Sequence, residues 1–319
     1  MTSSRAAIDQ FMRAIEASDL DASAHGDLHF ILNMQITRDR KAKTITLSQA
    51  TYIHQLLETF NMQNAKRMLT PLPPHTSLMQ ANDDKQADDT SAELSRYREL
   101  VGSLNYIANT VRADISFAVS LLSRFLTNPR THHWNAAIHC LKYLKGTADL
   151  GITYHGNADG KNILTGYTDS DHAGDKSTGR STSGYVFMLN GAAISWKSQR
   201  QPIVAKSTAE AELISASLAT QEAIHLRMLL GEIGLRQGPI TIHEDNQPCI
   251  KIAENPINSE RTKHIHVHYF FVRERVQRNE IVLKYTPTNQ MLADCLTKNL
   301  EAPKVDTFRK AIMGTPDSP

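Results

Sequence analysis

The stretch Thr165-Gly-Tyr-Thr-Asp-Ser-Asp-His-Ala-Gly-Asp175 places three carboxylates, Asp169, Asp171 and Asp175, after an apolar run that opens at Ile163-Leu164. Aspartate suits a strand interior poorly, because its side chain competes for backbone hydrogen bonds. At the end of an apolar strand it either opens a turn or holds a positive charge. Taken alone, this stretch balances the two readings. Three acids further on shift the balance, because Glu212, Asp245 and Asp294 each fall at a strand end or on a helix face. Four carboxylates can then share one site.

Composition bounds the rest. The chain has 319 residues, enough for two domains with their own cores, and is 40% hydrophobic and 21% charged, as soluble globular proteins are. A formal net charge of +2 does not by itself mark a nucleic-acid binder, but Arg180, Lys197, Arg200, Lys206, Arg261, Lys263 and the run Arg273 to Arg278 all lie in the second half. Charges so spaced are ordinarily a solvated face. Cys140, Cys249 and Cys295 are far apart and form no C-x-x-C pair, which argues against a disulfide framework or a cysteine zinc site and fits a reducing compartment. No apolar run approaches the roughly twenty residues that span a bilayer, and the N-terminus lacks the apolar core of a signal peptide. The expectation is a soluble intracellular chain with no membrane partner, cytoplasm and nucleus being equally compatible.

Ala6 to Ala17 has a helical pattern, with Ile8, Phe11, Met12 and Ile15 on one face. A hairpin follows, His29 to Ile36 pairing with Thr44 to Leu47, and Ser48 is placed to cap a helix carrying Tyr52, Ile53, Leu56, Leu57 and Phe60. Thr70 to Ser95 is rich in Pro, Asp, Gln, Asn and Ser and reads as an exposed linker. Two or three helices are expected from Tyr97 to Leu144, with His132, His133 and His139 in surface or core roles rather than as metal ligands. Ile152 to Gly160 reads as a strand and turn leading into a second domain. Beyond Asp169 come strands at Thr182 to Asn190 and Ala192 to Lys197, then a long helix capped by Ser207 and running to Glu232. A short strand, Ile240 to His243, leads to Glu244-Asp245, followed by helices at Cys249 to Ala253 and Thr262 to Gln277. A strand at Ile281 to Tyr285 and a last helix at Gln290 to Leu300 close the pattern.

If the strands ending at Asp169 and Asp245 are parallel neighbours, their C-terminal ends share the sheet edge where α/β folds place their sites. Glu212 shares a helix stripe with Ala209, Ala216, Ala219 and Ala223, small residues that let a helix lie close to a sheet, while Glu210 points roughly the other way. Asp294 sits between Ala293 and Cys295 on the last helix. Four acids so close cannot all stay ionised without compensating charge. Two Mg²⁺ ions about 3.5–4 Å apart supply it and make phosphodiester hydrolysis possible. Magnesium takes carboxylate oxygens and suits a site without Cys or paired His, and Mn²⁺ is a plausible substitute.

Six strings, in order, resemble the copia class of LTR-retrotransposon polyproteins and, within them, an RNase H domain. They are Gly166-Tyr-Thr-Asp-Ser-Asp171, Ile194-Ser-Trp-Lys-Ser-Gln-Arg-Gln201, Ser207-Thr-Ala-Glu-Ala-Glu212, Glu244-Asp-Asn-Gln247, Thr262-Lys-His-Ile265 and Ala293-Asp-Cys-Leu-Thr-Lys298. The resemblance implies that Asp169, Glu212, Asp245 and Asp294 are the metal-binding catalytic acids. It also implies an α/β fold, an RNase H-like mixed sheet with flanking helices. The first half is similar to the same polyproteins downstream of the reverse-transcriptase palm, in Thr44-Ile-Thr-Leu-Ser-Gln49, Tyr97-Arg-Glu-Leu-Val-Gly-Ser-Leu-Asn-Tyr106, Leu122-Ser-Arg-Phe125 and Leu144-Lys-Gly-Thr147. The implied organisation is a palm-edge hairpin and thumb helix at 1–69, a polar linker at 70–96, a helical thumb and connection region at 97–150, the RNase H domain at 151–300 and a tail at 301–319. The chain has no Tyr-x-Asp-Asp turn, and the expectation is that it does not polymerise by itself, a separate polymerase subunit being a possible partner.

Some positions depart from the family. His172 stands where it usually has Trp and Ala113 where it usually has Pro; an Asp is usual at the place of His266 and a basic residue at that of His268. His264 and His268 have the i, i+4 spacing of a metal pair, but no third ligand accompanies them, and a satisfied or solvent-facing helix position is the expectation. The implied activity is cleavage of the RNA strand of an RNA–DNA hybrid, recognised through backbone and 2′-OH contacts. Arg180, Lys206 and Lys263 are the candidate phosphate contacts. A relic that binds hybrid without cutting, or does not fold autonomously, is the rival. An integrase-like strand transferase fits the order Asp, Glu, Asp, Asp less well.

Overall fold

Tyr185, Phe187 and Leu189 alternate with Val186 and Met188 along one strand, a pattern that calls for a sheet covered on both faces. The computed structural model, which describes residues 5–17, 26–73, 78, 91–156, 162–254 and 266–315, contains such a sheet. In chain order the elements are α1 (Arg5–Glu16), β1 (Phe30–Ile31), β2 (Met34–Asp39), β3 (Thr44–Ser48), α2 (Ala50–Thr59), α3 (Ser91–Thr110), α4 (Ser116–Leu122) and α5 (Thr131–Gly146). They continue with β4 (Gly151–His155), β5 (Thr165–Asp175), β6 (Arg180–Leu189), β7 (Ala192–Arg200), α6 (Thr208–Glu232), β8 (Ile240–Glu244), α7 (Gln247–Glu254), α8 (His266–Gln277), β9 (Ile281–Tyr285) and α9 (Ala302–Met313).

The larger sheet has the order β7-β6-β5-β8-β9. β5, β6 and β7 form an antiparallel meander, while β8 lies parallel to β5 and β9 parallel to β8. On one face α6, α7 and α8 pack Leu213, Ala216, Ala219, Ala223, Cys249, Ala253 and Val272 against Phe187, Ile242 and Leu283. On the other, Val186 and Ala193 join the core built by Tyr97, Leu104 and Ile107 of α3, Val119 of α4, Leu141 of α5 and Phe308 and Ile312 of α9. The first-half helices are thus the second cover of the sheet. Trp196 Nε1 donates to the Ala108 carbonyl at 2.7 Å across this junction.

Five local expectations change. β5 runs on to Asp175 instead of ending at Asp169: its pairing with β8 stops at Tyr167, but its pairing with β6 continues through Asp171 and resumes at Asp175. Asp169 therefore sits where one ladder has ended and the other has not. The strand expected to lead into the second sheet, β4, instead completes a separate antiparallel sheet, β1-β2-β3-β4. There Gly151 lies so close to β3 that an added Cβ would come within 2.3 Å of the Leu47 carbonyl oxygen. Ser48 ends β3, and Gln49 is the residue before α2. The helix expected at Gln290–Leu300 is two 3₁₀ turns, Thr288–Gln290 and Leu292–Leu296, separated by the extended and buried Met291. The helix forms later, as α9, with Pro303 in its first turn and Gly314 in the left-handed conformation at its end. Thr70 and Leu72, at the start of the expected linker, are buried; most of that segment, residues 74–77 and 79–90, lies outside the described residues. His133 and His139 have core roles, bonding the carbonyls of Leu78 and Thr70 at 3.0 Å each.

The helical core contains a fully buried ion pair. Arg112 donates Nε and Nη2 to the two carboxylate oxygens of Asp114 at 2.9 and 2.8 Å, and Tyr143 donates to Asp114 at 2.6 Å. Arg112 Nη1 and Nη2 also donate to the carbonyl and hydroxyl of Thr147 at 2.9 and 2.7 Å. Burial opposes both charges, but their mutual attraction holds the Asp114 carboxyl below its ordinary range. Arg112→Met leaves Asp114 buried and unpaired, and is expected to lower stability by about 3–5 kcal/mol, read by urea denaturation. A loss under about 1 kcal/mol would mean that the pair is not the anchor described.

Candidate active site

The acids meet beside the C-terminal end of β8, where β5 has stopped pairing with it after Tyr167. Ser207 caps α6 by accepting from the Glu210 backbone N–H at 3.2 Å, as its sequence position predicts. Glu210 is buried as well, and its side chain accepts from the Lys206 backbone N–H at 2.9 Å, closing the first turn. Glu212 lies one turn before Ser215, whose hydroxyl donates to the Asp169 carbonyl at 2.7 Å and meets Thr168 Oγ1 at 2.9 Å. That contact presses α6 onto β5 and brings Glu212 to Asp169. β8 stops because Asn246 turns to cap α7, its side chain accepting from the Cys249 N–H at 2.9 Å. Asp245, in that corner, accepts from Thr288 Oγ1 at 2.7 Å. Gly184 lets the turn that carries Asp294 lie on β6, since an added Cβ would come within 2.8 Å of Leu296 and Thr297 side chains.

All four expected acids come together, and the structure adds a fifth. One oxygen each from Asp169, Asp245 and Asp294 lies within 4.8 Å of the others, and the same holds for Glu212, Glu244 and Asp245. Asp245 belongs to both triads. Glu244 is the residue that sequence reasoning missed; the signal was the alternation Ile240, Ile242, Glu244, which puts it on the buried face of β8. Its Oε1 accepts from the Asn246 N–H at 3.0 Å. Of the three carboxylates in the opening stretch only Asp169 belongs to a triad. Asp175 pairs with Arg200 and Arg124 at 2.8 and 3.3 Å; against its burial, hydrogen bonds from Ser177 first and then Arg200 hold it well below the usual carboxylate range.

Electrostatically the site is overloaded. Asp169, Glu212, Glu244 and Asp294 are 2, 6, 0 and 2% exposed. Burial first, then mutual repulsion, pushes Glu212 well above its ordinary range. Burial likewise raises Glu244, whose Asn246 bond only partly offsets it. Burial and Asp169 raise Asp294 to about 6, against the pull of Lys298. Glu212 Oε2 and Glu244 Oε2 are buried without a hydrogen-bond partner. Lys298, also unanticipated, approaches Asp294 Oδ1 at 2.9 Å and Asp169 Oδ2 at 3.7 Å. Thr297 donates to Asp169. Oxygen donors, two triads and orphaned buried carboxyl oxygens together fit divalent cations of the hard class.

The other expected residues lie elsewhere. Arg180 opens β6 opposite Asp175 and is half-buried, while Lys206 is exposed just before the α6 cap. Lys263 and His264 lie outside the described residues. His268 is half-buried with Nδ1 3.0 Å from Ser217 Oγ, the satisfied helix position expected of it.

No family model matches the chain. It is 38% identical over 301 residues to the retrovirus-related Pol polyprotein from transposon TNT 1-94 of Nicotiana tabacum, an alignment covering 93% of this chain and 22% of that one. It is 37% identical over 290 residues to the corresponding polyprotein from transposon RE2 of Arabidopsis thaliana, covering 90% of this chain and 19% of the relative. Among solved structures, the N-terminal RNase H domain of a Mycobacterium tuberculosis protein aligns with a TM-score of 0.34 and 12% identity, over 47% of this chain and 97% of that one. LC11-RNase H1 in complex with an RNA/DNA hybrid aligns with a TM-score of 0.32 and 15% identity, over 42% and 93%. The fold is α/β, a mixed sheet with flanking helices preceded by a mainly helical region. The chain belongs to the copia-type retrotransposon Pol polyproteins and spans 22% and 19% of the length of those two relatives. No helix among the described residues is long and apolar enough to cross a membrane.

A carboxyl whose pKa is raised on folding keeps its proton in the folded chain where the unfolded chain has lost it. Folding therefore weakens as pH rises through that window. For Asp294 the window runs from 3.8 to about 6. In chelator, Asp294→Asn is expected to gain on the wild type between pH 4 and 7 by on the order of 2 kcal/mol, measured by thermal or urea unfolding. A divalent cation that bound the intact site would reverse the order by stabilising the wild type. A pH-independent difference would remove the crowding argument.

Proposed function

We propose that this chain is the part of a retrotransposon Pol polyprotein that carries its RNase H, and that it hydrolyses the RNA strand of RNA–DNA hybrids with two Mg²⁺ ions, Mn²⁺ substituting. The observation that carries this reading is the pair of carboxylate triads, each of two buried acids and the shared, half-buried Asp245. Asp169, Asp245 and Asp294 would hold one ion, and Glu212, Glu244 and Asp245 the other. Bound there, such ions supply a nucleophilic water at neutral pH and charge stabilisation for the leaving oxygen. The protein's own contribution is positional: β5, β8 and α6 fix the acids to the sheet, and Thr297 orients Asp169. The crowding keeps the acids short of cations until ions arrive.

The remaining finer readings belong to the same proposal. The nuclease unit would occupy 151–300, with residues 1–69 and 97–150 derived from the end of a reverse transcriptase. Polymerisation would require a separate polymerase subunit. The hybrid would be read by its backbone and 2′-OH groups, with Arg180, Lys206 and Lys263 on phosphates.

The test is cleavage of a labelled RNA–DNA hybrid in Mg²⁺ beside Asp245→Asn. The wild type is expected to cut the RNA strand, and the variant to lose more than about a hundredfold, since even outer-shell partners of metals are worth up to that. A folded wild type that binds hybrid without cutting would establish the binding-only relic instead.

Replacing Arg180, Lys206 and Lys263 by Ala is expected to reduce the slope of log affinity against log salt by up to about 0.9 for each phosphate left without its cationic side chain. An unchanged slope in hybrid-binding titrations would remove those residues from the interface.

A further inference from the structure

We propose that Lys298 is a built-in counter-ion that occupies the Asp169/Asp294 half of the site in the metal-free chain and is displaced by the cation that binds there. The inference deepens the two-ion reading above and rests on it. Its ammonium lies 2.9 Å from Asp294 Oδ1 and 3.7 Å from Asp169 Oδ2, so it bridges two members of one triad. Magnesium bonds carboxylate oxygens at 2.0–2.1 Å. An ion sharing those two oxygens would therefore stand at most about 5 Å from the ammonium, where two like charges with little water between them repel strongly. The two cations compete for one place.

The geometry gives the ammonium an exit. The Lys298 side chain is 38% exposed, whereas the Asp169 and Asp294 side chains are 3% and 2% exposed. The residue also lines a cavity with Phe117, Ala118, Leu300 and Val305. The other triad has no such competitor: among the described residues no ion pair reaches Glu212 or Glu244. The halves are therefore unequal. The Glu212/Glu244/Asp245 half takes its cation first and the Asp169/Asp245/Asp294 half second, against Lys298.

The experiment is a Mn²⁺ titration of the full chain at pH 8, followed by the electron-paramagnetic signal of free Mn²⁺, comparing wild type with Lys298→Met. Methionine keeps most of the stem volume and removes the charge. Two unequal sites are expected in the wild type, with the weaker one tightened about tenfold in the variant, the scale expected for removing one nearby like charge. A folded variant whose weaker site is unchanged or weakened overturns the proposal. A wild-type measurement stands beside it in case the variant does not fold. Acylation of Lys298 by a lysine-reactive ester, followed by peptide mass spectrometry, is expected to rise severalfold on saturation with Mn²⁺. Unchanged reactivity at saturation overturns the displacement. A wild type that binds no Mn²⁺ at all removes the metal reading itself, an outcome distinct from the failure of Lys298 alone.

Discussion

The structure turns on the burial of Asp169, Glu212, Glu244 and Asp294 around the half-buried Asp245, with Lys298 as the cation beside them. An unpaired buried carboxylate is several kcal/mol out of balance, so each such group must take a proton, find a donor or receive a cation. A flexible scaffold would relieve the strain by letting the acids drift apart. This one resists on every side. Ser215 pins α6 to the Asp169 backbone, Asn246 fixes the corner after β8, and Gly184 admits the 3₁₀ turn that delivers Asp294. The repulsion is therefore retained within the fold, where a divalent cation relieves it.

The rigidity comes from two cores rather than one. α6 to α8 cover one face of the sheet, and α3 to α5 with α9 cover the other. The 3₁₀ turn of Asp294 lies at the seam: Cys295 and Leu296 belong to the helical core while Asp294 joins the acids. The cavity beside Lys298 is lined by Asp114 as well, so the fully buried Arg112–Asp114 pair stands directly behind the site. The helical region that looks, by resemblance, like a polymerase remnant is structurally the back wall of the acidic centre.

Much of this was legible in the residues. The alternation of Tyr185, Phe187 and Leu189, the Ser207 cap and the small-residue stripe of α6 are local signals, and local physics decided them. Asp169 and Glu212 followed from the same reasoning. What escaped depended on distant partners. β4 reads as a strand on its own, but nothing local says that it joins β3 rather than β5; the fit of Gly151 against Leu47 decides that. Glu210 was judged by helix geometry alone, and its bond to the Lys206 backbone kept it buried. Glu244 was overlooked beside Asp245, although the period of β8 marks it as inward-facing. α9 carried its own signals in Pro303, Gly314 and the spacing of Val305, Phe308 and Ile312.

The shared Asp245 makes the halves of the centre dependent on one another. A positive charge placed in the Glu212/Glu244/Asp245 triad draws down the proton affinity of every acid near it, Asp169 included, since Asp169 and Asp245 each contribute to the raised state of Glu212 and Glu244. That favours ionisation of the second triad and so prepares it for a cation. The same ion also claims part of Asp245, which the second triad needs. Asp294 and Asp169 must then supply most of the remaining attraction, and these are the two groups that Lys298 neutralises. Proton release, the division of Asp245 and the lysine charge thus act on one equilibrium, with the first favouring a second cation and the other two opposing it.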